Sequence, residues 1–358
     1  MTLQALAKAL RLGRGFAHKR DISAVVGTLA AALPMGAADL AQAVPVGDDC
    51  AAMPLPGGEG YLLLAIEGFM ADFVQQQPWF AGYCGVMVNV SDIAAMGGRP
   101  TAVVDALWSR GAAGDPVLQG LAAASQRYGV PIVGGHSNTR SESEQLAVAI
   151  VGQARCLLSS FKARPGEQLL MAIDLRGAYQ EPNPFFDAST SAPPERLRAD
   201  LALLPEIAEA GLCEAAKDIS MAGAVGTALM LLECSGVGAV IDVGAIPRPA
   251  GVPLLRWLQS FPSYGFVLSV RPGQAAQVSA RFTERGIACA VVGEVTARPQ
   301  LWLSDPQAGA EPALLWDLDR ETFITAPRPV PAPATAPATG PLAATPCVAS
   351  APDHFASA

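Results

Sequence analysis

The sequence predicts an α/β protein of two domains, and three observations carry the prediction. Apolar runs of strand length alternate with helix-length stretches along most of the chain. With 358 residues, 51% apolar and only 16% charged, the chain can bury a large core and exceeds one domain of ordinary size. A break near Arg155 to Pro165 separates the first alternating series from a second. The expected organisation is a basic segment at 1–20, a first domain at 21–155, a second at 156–325 and a Pro/Ala-rich, disordered tail at 326–358.

In the first series, strand-type runs fall at 61–66, 101–108, 130–135 and 145–152, with helices expected over Phe80 to Met96 and Pro116 to Tyr128. After the turn-like ARPGEQ at 163–168 come a strand LLMAI, then a helix from about Pro194. In that helix Leu197, Leu201 and Leu204 recur at one face, Pro205 predicts a kink, and Gly211 suits a left-handed cap. A helix from about Ala222 follows, then strands GAVID and GFVLSV, a helix over Gln274 to Arg285, and strands ACAVVG and QLWLS. Arg176 to Ala192 has turn formers, aromatics and no period, and reads as a mobile loop or lid. Trp79, Trp108 and the phenylalanines show no stacking pattern and are assigned to the core.

Several function classes are set aside. The net charge of −8 gives no general electrostatic reason to expect nucleic acid or an anionic membrane, and a small-molecule ligand fits better. The longest apolar stretch, Ala222 to Ile241, is interrupted by Glu233 and rich in glycine, so no membrane span is expected. Lys8, Arg11, Arg14, Lys19 and Arg20 leave the N-terminus without the uncharged core of an export signal. Seven widely spaced cysteines without a CxxC pair argue against a disulfide framework or zinc site, and read as buried thiols of a cytoplasmic protein.

The common phosphate-loop, zinc-protease and serine-hydrolase patterns are absent. Gly47-Asp48-Asp49 places two hard oxygen ligands in a tight turn before a short strand, either as part of a cation site or as a solvated acidic turn. Further on, Asn89, Ser91 and Asp92 interrupt an apolar helix. Burying unpartnered polar groups costs about 1–3 kcal/mol each, so they face a ligand or form a helix-packing hydrogen-bond cluster. Gly223 and Gly226 open the helix after Asp218, where free N–H groups suit phosphate, or where small residues permit close packing.

Taken in order, GDD at 47–49, NVSDIAAMGGRP at 89–100, a Gly134-Gly135 turn and KDIS at 217–220 resemble the superfamily of aminoimidazole ribonucleotide (AIR) synthetase. That superfamily includes thiamine-monophosphate kinase, selenophosphate synthetase and a hydrogenase-maturation dehydratase. The resemblance runs from about residue 20 to about 305, and VGGHS, KDISMAGAVGT, IPRP and FPSYGF are most similar to the AIR synthase-related branch.

The resemblance implies a two-domain PurM-like α/β (α+β) fold, with N-terminal domains forming a shared β-barrel in a homodimer and a C-terminal α/β domain. It implies ATP and Mg2+ as cofactors, and phosphorylation or phospho-activation of an oxygen of a small metabolite. The alternative is an ATP-binding regulatory or maturation-partner protein without turnover. In the implied site, Asp48, Asp49, Asp92 and Asp218 hold metal, with Glu67 as a further candidate. Asn89 and Ser91 orient phosphate or metal-bound water, beside Gly134, Gly135, Gly223 and Lys19 as nucleotide contacts. Lys19 and Arg20 belong to an N-terminal segment, expected to be flexible, of the kind that some members close over the nucleotide. His136 stands where kinase members carry an aspartate, and Met221 where they carry a second carboxylate. The change predicts fewer bound ions, admits Mn2+ beside Mg2+, or makes His136 an acid, base or donor acting with Asp92 and Asn89.

Overall fold

The computed structural model describes residues 1–30 and 46–325, so the Pro/Ala-rich tail lies outside the described residues. Two helices, α1 (Leu3–Arg11) and α2 (Arg14–Ala30), lead the chain. A first sheet follows, built of β1 (Ala51–Pro54), β2 (Tyr61–Phe69), β3 (Arg99–Arg110), β4 (Ile132–Asn138) and β5 (Arg140–Ala154). Between these strands lie α3 (Ala71–Gln76), α4 (Pro78–Ala95) and α5 (Asp115–Tyr128). The strand order is β1-β2-β5-β3-β4, antiparallel except where β4 pairs parallel with β3 at the edge.

Next come β6 (Gln168–Ile173), β7 (Ala178–Tyr179), β8 (Phe185–Asp187), α6 (Pro194–Leu201), α7 (Leu203–Glu209), β9 (Ala215–Asp218) and α8 (Gly223–Ser235). The remaining elements are β10 (Gly238–Asp242), α9 (Leu254–Leu258), β11 (Phe261–Pro262), β12 (Gly265–Val270), α10 (Pro272–Thr283), β13 (Ala288–Thr296), β14 (Gln300–Asp305) and β15 (Ala310–Asp317). A seven-stranded sheet of order β15-β14-β10-β13-β6-β12-β9 takes most of these strands, and a small sheet β11-β8-β7 takes the rest. This is the α/β architecture that the alternating runs predict.

Helix α4 determines where the site lies. It is buried from Phe80 to Ala95, so its mixed apolar and polar residues all meet protein. On the first sheet, Leu63, Val103, Val148 and Ile150 share a core with its Val86, Val90 and Ile93, while its last residues, Ala94 and Ala95, join a core with Leu170 and Phe266 of the second sheet. Helix α5 approaches from the other side, where a Cβ on Gly82 would stand 2.0 Å from the carbonyl oxygen of Val117, so only glycine admits that crossing.

Several expectations are corrected. The N-terminal segment is not loose: Leu3, Leu6, Ala7 and Leu10 of α1 are buried, and Arg11 lies 4.0 Å over the ring of Trp316. Residues 176–192 are not a structureless lid, because β7 and β8 pair and the buried Asp187 accepts bonds from Ser189 N at 2.8 Å and Ser189 Oγ at 2.7 Å. Phe186 is buried edge-on against Trp257, with 5.1 Å between ring centroids. The interruption expected from Pro205 is present, as a break at Ala202 that divides the helix into α6 and α7; the proline has no N–H for the carbonyl four residues back and occupies the first turn of α7. Gly134 and Gly135 are strand residues paired with Val104 and Asp105, not a turn. Trp79 is 38% exposed, and Cys156 is exposed rather than a buried thiol. Among the described residues, no helix is long and apolar enough to cross a membrane.

Candidate active site

A cleft of about 630 Å3 opens where α2, the Gly47–Asp49 turn, the end of β2, one face of α4 and the end of β9 meet. Helix α4 contributes by period: Phe80, Cys84, Val88 and Asp92, each four residues apart, all line it. Strand β9 brings Lys217 and Asp218 to its last two positions, and α2 adds Arg14, His18 and Lys19 to the lining.

Asp49, Asp92 and Asp218, from three separated segments, offer carboxylate oxygens that all lie within 4.8 Å of one another. Asp49 Oδ2 accepts the N–H of Asp218 at 3.2 Å, and its other oxygen forms an ion pair with Lys217. Asp92 is 6% exposed, and its Oδ2 has no hydrogen-bond partner. A buried carboxylate oxygen without a donor is unfavourable unless a proton or a cation meets it. Burial, then the charges of Asp218, Glu67 and Asp49, raises the Asp92 carboxyl well above its ordinary range. Asp218 is raised likewise, by burial first and Asp49 next. Burial alone would lower Lys217, but Asp49 and Asp48 outweigh it and hold the ammonium charged. A hard divalent cation with oxygen ligands would suit the three carboxylates, of which Asp92 Oδ2 is buried without a hydrogen-bond partner.

The other expected ligands divide. Asp48 stands beside the cluster, but its oxygens are already taken. Oδ2 accepts Ser159 Oγ at 2.7 Å and Ser160 N at 3.0 Å, and Oδ1 accepts Ser160 Oγ at 2.7 Å. It anchors the turn to the segment after β5. Glu67 lies on the cleft wall outside the cluster and is exposed to solvent; the protein around it raises its carboxyl and Lys19 draws it down in part. Lys19 therefore does stand in the cleft, on an ordered helix.

Asn89 points the other way: its Nδ2 donates to Gly85 O at 2.8 Å and Val148 O at 3.0 Å, fastening α4 to β5. Ser91 adjoins a small internal void with Tyr128 and Asp200 rather than the cleft. Neither residue lines the cleft. Gly223 is required for packing, since its φ is +69° and a Cβ would meet Leu258 O at 2.0 Å. Gly226 likewise faces Phe16 of α2. Gly134, Gly135 and His136 lie exposed on the edge strand β4, with His136 5.7 Å from the Trp108 ring, and none of the three lines this chain's cleft. Met221 does line it, beside Ser220.

Sequence reasoning passed over Lys217, Ser159, Ser160, Arg14 and His18. Only Lys217 left a readable signal, a lone lysine inside the apolar run AAKDI.

Two sheets sharing one buried helix, with carboxylates from three segments gathered on a ligand-sized cleft, define the class of the molecule. Residues 47–154 match the family "AIR synthase related protein, N-terminal domain" and residues 175–304 match "AIR synthase related protein, C-terminal domain", and the chain belongs to this family. The uncharacterised protein sll0787 of Synechocystis is 48% identical over 281 residues, covering 78% of this chain and 86% of that protein. Thiamine-monophosphate kinase of Synechococcus elongatus is 26% identical, covering 72% of this chain and 86% of the kinase. In fold, the chain is similar to Thermotoga maritima PurL complexed with ADP, with a TM-score of 0.66, 21% identity and 82% of this chain covered. The chain spans about half of that PurL chain, 48% of its length.

Proposed function

We propose that the chain is an ATP-dependent enzyme that phosphorylates, or activates through phosphorylation, an oxygen of a small metabolite. The observation that carries the reading is the convergence of Asp49, Asp92 and Asp218 within 4.8 Å, with Asp92 Oδ2 buried and unpartnered. Those three residues would hold Mg2+ or Mn2+, which neutralises charge on the nucleotide's phosphates when bound. Lys19 and Arg14 on α2 line the same cleft and would hold phosphate oxygens. Phosphoryl transfer needs positioned charge more than a covalent nucleophile, which fits a cleft without a catalytic triad. Membership of the AIR synthase related family and likeness to thiamine-monophosphate kinase support the same reading.

The outer face of the first sheet supports a homodimer. Leu64, Ile66 and Val104 are exposed there, an apolar surface that two copies would cover by closing their sheets into a barrel. In this reading His136 acts at a site only across that interface, since it does not line its own chain's cleft.

Titrating the protein with ATP in the presence of Mg2+ or Mn2+ by calorimetry tests the assignment. Saturable binding, with ADP released once the acceptor is supplied, is expected. Absence of binding at millimolar nucleotide refutes it, and ATP binding with no ADP formed on any acceptor favours a regulatory protein.

A further inference from the structure

We propose that the ammonium of Lys217 is a built-in counter-cation that fills the place of a second divalent ion, so that the cleft holds one such ion, at Asp49, Asp92 and Asp218. The inference rests on the cation site of the proposed function and extends it to the number of ions and the residue that sets that number.

The contacts of Lys217 are those of a hard cation. Its Nζ forms an ion pair with Asp49 Oδ1 and lies 3.5 Å from the carbonyl oxygen of Gly47, a carboxylate and a backbone carbonyl from one tight turn. The side chain is 6% exposed, and lysine is almost never so buried unless paired. The side-chain oxygens of Asp48 in the same turn are held by Ser159 and Ser160. This side of the turn is thus satisfied by protein groups.

The opposite side of Asp49 differs. There Asp218 contributes its backbone N–H to Asp49 Oδ2, while Asp92 Oδ2 meets no donor at all. Asp49 stands between the two regions, one already supplied with positive charge by the chain and one lacking it. A single exogenous ion balances the open side, and a second would have to displace Lys217 from Asp49 and Gly47.

Counting Mn2+ bound to the full chain without nucleotide, by the electron paramagnetic resonance signal of free Mn2+, tests this. Ions lost in Asp49→Asn, the residue common to both positions, are those of the cleft. The wild type is expected to hold one, Lys217→Met to hold two, and Lys217→Arg to return to one, with circular dichroism checking that each variant is folded. A wild-type count other than one, or a folded Lys217→Met that still holds one, overturns the proposal. Should Lys217→Met fail to fold, the wild-type count and Lys217→Arg decide, two ions in either being fatal. An ATP titration on the same samples reads the proposed function separately. A chain with one ion and no ATP binding keeps this inference and loses that one, and a chain that binds Mn-ATP with two ions does the reverse.

Discussion

Lys217 at the end of β9 and Asp49 in the turn before β1 form an ion pair whose side chains are 6% and 5% exposed. The pair joins the two halves of the cleft across 168 residues of chain. Removing one partner of a buried pair strands the other charge, which costs about 3–5 kcal/mol. Asp49→Asn is therefore expected to lower the unfolding free energy by about that amount, read from a urea denaturation series.

Asp92→Asn should behave in the opposite way. Asp92 is repelled by Asp218, Glu67 and Asp49, so neutralising it relieves the metal-free protein, whose melting temperature is expected to stay level or rise. The same variant should lose the stabilisation that Mn2+ gives the wild type, and with it ADP production. Differential scanning fluorimetry with and without Mn2+ checks both halves of the prediction.

The metal-free protein should lose stability as pH rises. Asp92 and Asp218 are held well above the ordinary value of 3.8, so the folded state binds their protons more tightly than the unfolded chain does. Their contribution is full below 3.8 and disappears as pH climbs through the raised folded values. Melting curves in chelator should fall across that window, flatten in Asp92→Asn, and recover when Mn2+ replaces the protons. A melting temperature that climbs with pH in chelator would contradict the assignment.

Lys19 is half-buried on the cleft wall and draws down the carboxyls of Glu67 and Asp218. A charge-assisted bond from it to phosphate contributes about 1.5–3 kcal/mol, so Lys19→Ala should weaken ATP binding roughly ten- to hundred-fold. The Mn2+ count should not change, because Lys19 touches none of the three ligating carboxylates' bonds. Calorimetry against ATP, beside the ion count, separates the two effects.

Val104 is 42% exposed on the outer face of the first sheet. A lysine there places a charge in the surface assigned to the second copy, and Val104→Lys should shift the protein from dimer to monomer in sedimentation while its melting curve changes little. Sedimentation of the variant as a dimer would remove that face as the interface.

The alternation of apolar runs made the fold class legible, because strand and helix periods are local properties. The same reasoning stopped at α4, which is buried on every side and so has no polar face to tell where each side chain points. Asn89, Ser91 and Asp92 look equivalent in sequence, and packing alone turns Asn89 to β5, Ser91 to an internal void and Asp92 to the cleft. Residues 176–192 looked structureless because their strands are two and three residues long, too short for a period, and are held by Asp187 and aromatic contacts.

By itself the sequence determined the family, the two alternating series and the segments that bring carboxylates. Only the tertiary structure decided which carboxylate oxygens remain open. Asp48 is closed by serines 111 and 112 residues away, Asp49 is half closed by Lys217, and Asp92 is left without a donor. The physical reason is that spacing along a strand or helix sets only the side a residue faces, whereas the donor that satisfies a buried oxygen comes from whatever distant segment folds against it.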